Sequence, residues 1–401
     1  MQDHRVKKKL AIICSTDYKS YPMGGMMSFI VDILPYLNKD FEITLCGVST
    51  ENINVSEIHL QGETYPLRIF SRVKLKKKIL PNILKVMINT QLKAKQILSE
   101  GYDILYFHGI PLSFPFLKKK NRQGFPKIVN HLHGIINPCS AIKKKIVNNS
   151  FMINLYDEYR KYVVQRSDLI LVASDKQTYR SFIEEFDANT SQKIHCIPNF
   201  ANFNIFKPYL TYDKIQMREL LNLPLDCEIL INTGRLTIHK DPFLLLEAFK
   251  YLKKELNINA LLFLIGDGEL RSDLERKIKE MSIDDVKLLG RLEREQIASW
   301  LNASDVYVHT SFGEGFPIAL VEAAMCGLPI VSTDVPGVHD LVIEDHTGYL
   351  ARGRDYRDIA IKIKKALENR KRLSENIIEL SKNYSISKIS KKIIELFQDL
   401  F

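Results

Sequence analysis

The sequence predicts an α/β protein in which one strand–loop–helix arrangement is used twice. Three observations predict it. Short β-branched and aromatic runs recur along the chain and end in turns that carry glycine or histidine. Apolar-periodic helical segments separate them. A stretch dense in proline and asparagine, Pro198-Asn-Phe-Ala-Asn-Phe-Asn-Ile-Phe206-Lys-Pro208, divides the two halves. The length of 401 residues and apolar fraction of 45% suit two domains of ordinary size.

In the first half, Lys9 to Cys14 reads as a buried strand. It leads into Tyr21-Pro-Met-Gly-Gly25 and a helix over about Met26 to Leu37. Strand, glycine pair and helix make an arrangement able to hold a phosphate, because glycine lets a backbone approach a ligand closely. Gly24 and Gly25 are therefore candidate binding residues. Phe41 to Val48 and Tyr65 to Phe70 follow as strands, and Arg72 to Leu98 carries a helical pattern that is basic along its first third. Asp103 to Phe107 is a strand ending in His108-Gly109, and Lys127 to Asn130 one ending in His131-Leu-His133-Gly134. Ligands of open α/β sheets gather at the carboxyl ends of strands, which makes these histidines candidates. His131 and His133 are expected to alternate in direction, leaving only one to face a ligand. A zinc site is not expected from the three, because no further ligand cluster accompanies them. Phe151 to Val164 reads as a helix, and Asp168 to Ala173 and Lys193 to Ile197 as the last strands of this half.

Charge is unevenly placed. The first 200 residues hold 29 Lys and Arg against 17 Asp and Glu, while the whole chain carries a net +10. The excess lies in Lys74-Leu-Lys-Lys-Lys78, Lys118 to Lys120 and Lys143 to Lys145, clusters suited to an anionic membrane surface. The basic, amphipathic Arg72 to Leu98 segment could lie at such an interface. No aromatic-interleaved basic motif supports nucleic-acid binding. Six scattered cysteines without a CxxC pair argue against a disulfide framework and for a reducing compartment. No secretory signal or run of about 20 apolar residues occurs, so a cytoplasmic protein, peripheral on the inner face of a membrane, is expected.

The second half repeats the rhythm with strands at Glu228 to Asn232, Ala260 to Ile265, Val286 to Leu289, Asp305 to His309 and Ile330 to Thr333. The first ends in Thr233-Gly-Arg-Leu-Thr-Ile-His-Lys240, which places Arg235 and Lys240 in one short loop. Two cations there can balance a diphosphate, Arg235 by paired hydrogen bonds and Lys240 as a point charge. The fourth strand runs into Thr310-Ser-Phe-Gly-Glu-Gly-Phe-Pro-Ile-Ala-Leu-Val-Glu-Ala-Ala-Met-Cys-Gly327. Glycine punctuates the turn, Pro317 suits the first helical position, and the helix is apolar except for Glu322. Its N-terminus offers free N–H groups for a phosphate. Glu314 in the turn and Glu322 in the helix are spaced to grip hydroxyls at the two ends of a ligand with a diphosphate between them, as in a nucleotide sugar. Helical patterns over about Asp355 to Ala366, Lys371 to Leu380 and Ile386 to Leu400 close the chain.

The Glu314-Gly-Phe-Pro-Ile-Ala-Leu-Val-Glu322 frame resembles the paired-glutamate motif of glycosyltransferase family 4. The resemblance implies two Rossmann-like domains with a cleft between them, the GT-B fold. It places an acceptor-side domain over residues 1–205, a nucleotide-sugar domain over 206–384, and a final helix, 385–401, returning to the first domain. It implies a retaining, metal-independent transfer of a hexose or N-acetylhexosamine from a nucleotide diphosphate sugar, UDP-linked, to a hydroxyl acceptor. No DxD pair is present for a carboxylate metal clamp, and no cofactor is expected. Glu314 would hold sugar hydroxyls and Glu322 the ribose. Gly315, Phe316, Ile318 and Ala319 would line the donor at the helix opening. Arg235 and Lys240 would hold the diphosphate, His133 would reach the sugar, and Arg291, after Gly290, would sit by the base. Pro336-Gly337 and Asp340 depart from the family's more usual Gly-Gly pair and Glu. The basic clusters suggest a lipid-linked glycan acceptor in surface-polysaccharide assembly, such as lipopolysaccharide or capsule. A nucleotide-sugar epimerase on the same scaffold and a non-catalytic sugar-nucleotide-binding protein are the alternatives.

Overall fold

The computed structural model describes residues 6–18, 25–49, 56–72, 79–120, 124–134, 150–209 and 214–401. Two compact units emerge: residues 1–174, 178–198 and 387–401 form the first, and 175–177 and 199–386 the second.

The first unit is built on β1 (Lys8–Cys14), β2 (Phe41–Ser49), β3 (Glu57–Leu60), β4 (Glu63–Arg72), β5 (Ile104–His108), β6 (Lys127–Leu132), β7 (Leu169–Val172) and β8 (Ile194–Cys196). They form one sheet in the order β3-β4-β2-β1-β5-β6-β7-β8. All neighbours are parallel except β3 and β4, an antiparallel hairpin turned by Gln61 and Gly62, both at positive φ. The helices are α1 (Gly25–Leu37), α2 (Ile79–Ser99), α3 (Ile110–Leu117), α4 (Ser150–Arg166), α5 (Lys176–Ile183) and α6 (Ala188–Gln192). Parallel strands buried on both faces read as unbroken apolar runs, which is why β1 and β5 are legible. From Leu10 to Cys14 and from Ile104 to Phe107 every residue is fully buried. Sequence reasoning starts the second helix at Arg72. The chain is still extended there, because Arg72 pairs with Ser49 at the end of β4.

The second unit carries β9 (Glu228–Thr233), β10 (Ala260–Ile265), β11 (Val286–Gly290), β12 (Val306–His309), β13 (Ile330–Thr333) and β14 (Gly348–Ala351). The sheet is wholly parallel, in the order β11-β10-β9-β12-β13-β14. Its helices are α7 (Lys214–Leu220), α8 (Pro242–Lys254), α9 (Arg271–Met281), α10 (Arg294–Ala303), α11 (Ile318–Met325), α12 (Tyr356–Glu368) and α13 (Arg370–Ser381). Helices α8 and α12 bury Leu245, Leu246, Phe249, Ile359 and Ile363 against the sheet residues Leu230, Leu262 and Val308. Strand order reverses between β9 and β12, so the loops after these two strands lie side by side at the position where open α/β sheets hold ligands.

The division between the units falls after Pro198, earlier than the boundary at residue 206 inferred from the sequence. The reason is packing. Asn199 Nδ2 donates to Phe316 O at 2.5 Å, and Phe206 is fully buried beneath the Arg294 guanidinium, both within the second unit. The last helix, α14 (Ile386–Gln398), groups with the first unit. Its Phe397 packs edge-on against Phe41 and Tyr106, with ring centroids 5.8 and 5.1 Å away, and Lys392 Nζ donates to Cys196 O at 2.9 Å.

Candidate active site

Two loops of the second unit carry the charged residues singled out by the sequence, and backbone hydrogen bonds stitch them together. The loop after β9 turns at Gly234 and runs through Arg235 to Lys240. The loop after β12 runs from Thr310 to Pro317. Phe312 N donates to His239 O at 2.9 Å, and Thr310 Oγ1 lies 3.0 Å from both Lys240 O and Asp241 O. His239 Nε2 is 2.5 Å from Gly313 O. The neighbouring turns close in equally tightly. A Cβ at Gly266, where φ is +135°, would stand 1.9 Å from Gly234 O; one at Gly337, φ +92°, would stand 2.6 Å from Glu314 O. Only glycine allows these approaches without moving the backbone.

Within this frame Lys240 Nζ meets Glu314 Oε1 at 2.5 Å, and His309 Nε2 meets the same oxygen at 3.3 Å. Burial alone would raise the Glu314 carboxyl pKa. The Lys240 charge and the bonds from His309 and Lys240 outweigh it and hold the group well below the usual carboxylate range. Glu314 is therefore an anion at any physiological pH. Arg235 is exposed, and among the described residues its guanidinium has no hydrogen-bond or ion-pair partner. So the two expected cations differ: one is already paired, the other free.

Glu322 lies half-buried on α11. Its charge and that of Glu314 both act on the buried Tyr307 hydroxyl, whose pKa burial already raises. Gly315 to Ala319 open this helix, with Phe316 and Ile318 buried and Gly315 and Ala319 partly exposed. Pro317 is not the first helical residue: its φ of −75° and ψ of 116° make it the extended residue before the helix. Arg291 is exposed beyond Gly290, whose carbonyl accepts from Gly266 N at 2.7 Å. In the departing turn, the Asp340 carboxylate accepts from Lys176 N at 3.1 Å, and Asp175 accepts from Gly337 N.

The first unit gathers the three histidines. His131 and His133 do not point apart, as the sequence reading held; they stack with centroids 4.3 Å apart at 16°. Residues two apart are a full pleat period, so their side chains share a face. His108 Nδ1 lies 2.7 Å from His133 Nε2, and Tyr106 Oη 2.7 Å from His131 Nδ1. Burial lowers the pKa of all three, His133 to about 4. Their nitrogens lie within 4.8 Å of one another. The ring planes lie 16–35° from one another. Gly25 is the exposed first residue of α1 and not part of the preceding turn; Gly24 lies outside the described residues.

Among the basic clusters, Lys118 to Lys120 is described. Lys120 is engaged locally, pairing with Asp168 at 2.9 Å and donating to Arg166 O at 2.6 Å, and Lys118 sits 4.5 Å over the Phe114 ring. Lys74 to Lys78 and Lys143 to Lys145 lie outside the described residues. No helix among the described residues is long and apolar enough to cross a membrane.

Sequence reasoning missed three residues that shape the site. His309 bonds Glu314. Arg354, after β14, donates to Thr310 O at 3.0 Å and Ser311 O at 3.2 Å, pairs with Asp241, and stacks 3.7 Å from the Phe312 ring centroid. Tyr307 Oη donates to Thr233 O at 3.0 Å and ties the ends of β9 and β12. An inward-facing histidine at a strand end was a usable signal for His309. Arg354 lies 113 residues beyond Asp241 and has no local sequence cue.

Two doubly wound parallel sheets, the second with cations and a part-buried carboxylate at its switch point, define the GT-B fold. Residues 213–384, most of the second unit, match the family model described as "Glycosyl transferases group 1". An uncharacterised glycosyltransferase of Methanocaldococcus jannaschii is 27% identical over 319 residues, 78% of this chain and 80% of that protein. A UDP-Gal:alpha-D-GlcNAc-diphosphoundecaprenol alpha-1,3-galactosyltransferase of Escherichia coli is 27% identical over 266 residues, 65% of each chain. Among solved structures, sucrose-phosphate synthase from Thermosynechococcus elongatus superposes with a TM-score of 0.80 at 18% identity, covering 98% of this chain and 99% of that one. HepE of Anabaena, in complex with UDP and glucose, gives 0.71 at 18% identity, covering 98% and 100%.

Proposed function

We propose that the protein is a retaining, metal-independent family 4 glycosyltransferase moving a hexose or N-acetylhexosamine from a UDP-sugar to a hydroxyl of a lipid-linked glycan in surface-polysaccharide assembly. The observation that carries the reading is the Glu314 carboxylate, part-buried and ionised beside Lys240 at the switch point of the unit that matches the family model. Arg235, exposed and with its guanidinium unpartnered among the described residues, and Lys240 meet the charge that the diphosphate gains on leaving. Glu314 holds sugar hydroxyls, Glu322 ribose hydroxyls, and the α11 N-terminus lies against phosphate. The anomeric carbon–oxygen bond to the diphosphate breaks, and a bond to the acceptor oxygen forms on the same face. The acceptor's proton passes to the departing phosphate oxygen.

The relatives support the acceptor class: besides the Escherichia coli enzyme, a Campylobacter jejuni N-acetylgalactosaminyltransferase, 27% identical over 235 residues, bears a diNAcBac-PP-undecaprenol acceptor in its name. The excess basic charge of the first half supports a place at an anionic leaflet. The test is a panel of nucleotide sugars screened by thermal shift, followed by transfer to undecaprenyl-diphosphate-linked sugars with and without EDTA. A ligand at 100 times its dissociation constant adds about 2.7 kcal/mol. Expected are stabilisation by a UDP-sugar, an α-linked product from an α-linked donor, and turnover unaffected by EDTA. An inverted anomer, or activity lost to EDTA and restored by a divalent ion, overturns the mechanism. Flotation that shows no preference for anionic liposomes overturns the membrane placement.

A further inference from the structure

We propose that His309 is a positioning residue for Glu314: together with Lys240 it fixes one carboxylate oxygen, so that the other, Oε2, is presented to a hydroxyl of the donor sugar. The inference rests on the reading above that Glu314 takes the sugar. His309 ends β12 and is 3% exposed. Its Nε2 is 3.3 Å from Glu314 Oε1, the oxygen that Lys240 also holds. Its Nδ1 is 2.9 Å from the hydroxyl of Ser332, the residue beside it in register on β13. Among the described residues Glu314 Oε2 has no hydrogen-bond partner. A carboxylate offers about four lone-pair sites on two oxygens, so the protein occupies one oxygen and leaves the other whole.

Proton placement makes the arrangement directional. Buried His309 is neutral near pH 7, its burial outweighing the pull of Glu314, and so it carries one N–H. If that hydrogen sits on Nδ1, the Nε2 lone pair faces a carboxylate lone pair and the contact repels. If it sits on Nε2, it donates to Glu314, and Nδ1 accepts the Ser332 hydroxyl hydrogen. Ser332 Oγ also reaches Thr333 O at 2.8 Å, so its one hydrogen has two acceptors, and the Nε2–H tautomer favoured by Glu314 offers it the Nδ1 lone pair. Ser332 thus orients His309, and His309 orients Glu314.

The experiment measures affinity for UDP-glucose, UDP-N-acetylglucosamine and UDP by calorimetry in the wild type and in His309→Leu, His309→Gln, Ser332→Ala and Glu314→Gln. Glutamine places an amide N–H near the position of Nε2; leucine fills the space without a donor. Expected is about a ten-fold loss of UDP-sugar affinity in His309→Leu with UDP affinity unchanged, most of it restored in His309→Gln and a smaller loss in Ser332→Ala. A purely structural role would weaken UDP and UDP-sugar together and would not be rescued by glutamine; that result overturns the inference. If His309→Leu does not fold, Ser332→Ala carries the same comparison, and equal losses for UDP and UDP-sugar, or none, overturn it. If Glu314→Gln leaves the UDP-sugar affinity intact, the assignment of Glu314 to the sugar fails. If Glu314→Gln weakens it while His309→Leu matches the wild type, the role of His309 alone fails.

Discussion

Lys240 and Glu314 are joined at 2.5 Å, although each was expected to meet a different part of one ligand. Under the proposed function the pair is locally neutral until the donor diphosphate arrives, and Lys240 then turns toward phosphate while His309 keeps its bond to Glu314. Glu314→Gln and Lys240→Met are each expected to lower kcat/KM by about 10- to 100-fold, the range of a charged hydrogen bond. Because the two side chains touch, the double variant should lose less than the product of the single losses. Steady-state kinetics of all three variants checks this.

Arg235 sits in the same loop, its guanidinium without a protein partner among the described residues. Removing it disturbs no contact of the fold. Arg235→Ala is expected to leave the melting temperature unchanged and reduce kcat by about 100-fold, as loss of a preorganised charge in a transfer site does. A calorimetric scan beside a turnover assay separates the two effects.

Arg354 acts differently. It holds the carbonyls of Thr310 and Ser311, the Asp241 carboxylate and the face of Phe312. Arg354→Ala takes a donor from Thr310 O, while Ser311 O keeps the Thr333 hydroxyl and Asp241 keeps Leu244 N, and is expected to cost about 1–3 kcal/mol of stability in the second unit. Arg354→Lys keeps the charge but not the fork, and should recover less than half of it. Denaturant titration gives both values.

The histidine group makes the first unit sensitive to acid. The folded pKa of each imidazole is lowered by burial, so the unfolded chain binds more protons below the ordinary histidine value. The stability is fully present above about pH 6.5 and is lost as pH falls toward about 4, the value of His133. Unfolding at pH 5 should take up about one more proton per histidine than at pH 8, seen as a pH-dependent midpoint. In His131→Phe, which keeps the stacking, that slope should diminish.

Asp305 anchors the other unit. Only 3% exposed, it meets Arg218 at 2.5 Å, Lys214 at 2.8 Å and Ile229 N at 2.7 Å. Asp305→Ala strands a buried guanidinium and is expected to destabilise by about 3–5 kcal/mol. Chemical denaturation followed on the single tryptophan, Trp300, reports it.

Legibility in the sequence followed locality. β1, β5, β9 and β10 were readable because strands buried on both faces need continuous apolar runs. Arg235, Lys240, Glu314 and Glu322 were readable because their roles are set by short loops and one helix opening. β3, α3 and β14 escaped, being short and ambiguous by periodicity. α3 holds Pro115 in its interior and would not be assigned as a helix on propensity. The contacts of Arg354 and Tyr307 arise only once segments distant in sequence lie side by side, so no spacing rule could reveal them, whereas His309 lies five residues from Glu314 and was within reach of one. The stacking of His131 on His133 was a matter of counting the pleat correctly.

Helix α14 lies later in the chain than the whole second unit, yet Phe397 covers Phe41 and Tyr106 of the first. During synthesis those two rings stay without Phe397 until the ribosome has passed residue 397, whereas the uninterrupted stretch from 199 to 386 is already complete. The later-made half therefore has all its parts before the earlier-made half can finish, and the nascent first half carries exposed aromatic surface that invites chaperone capture.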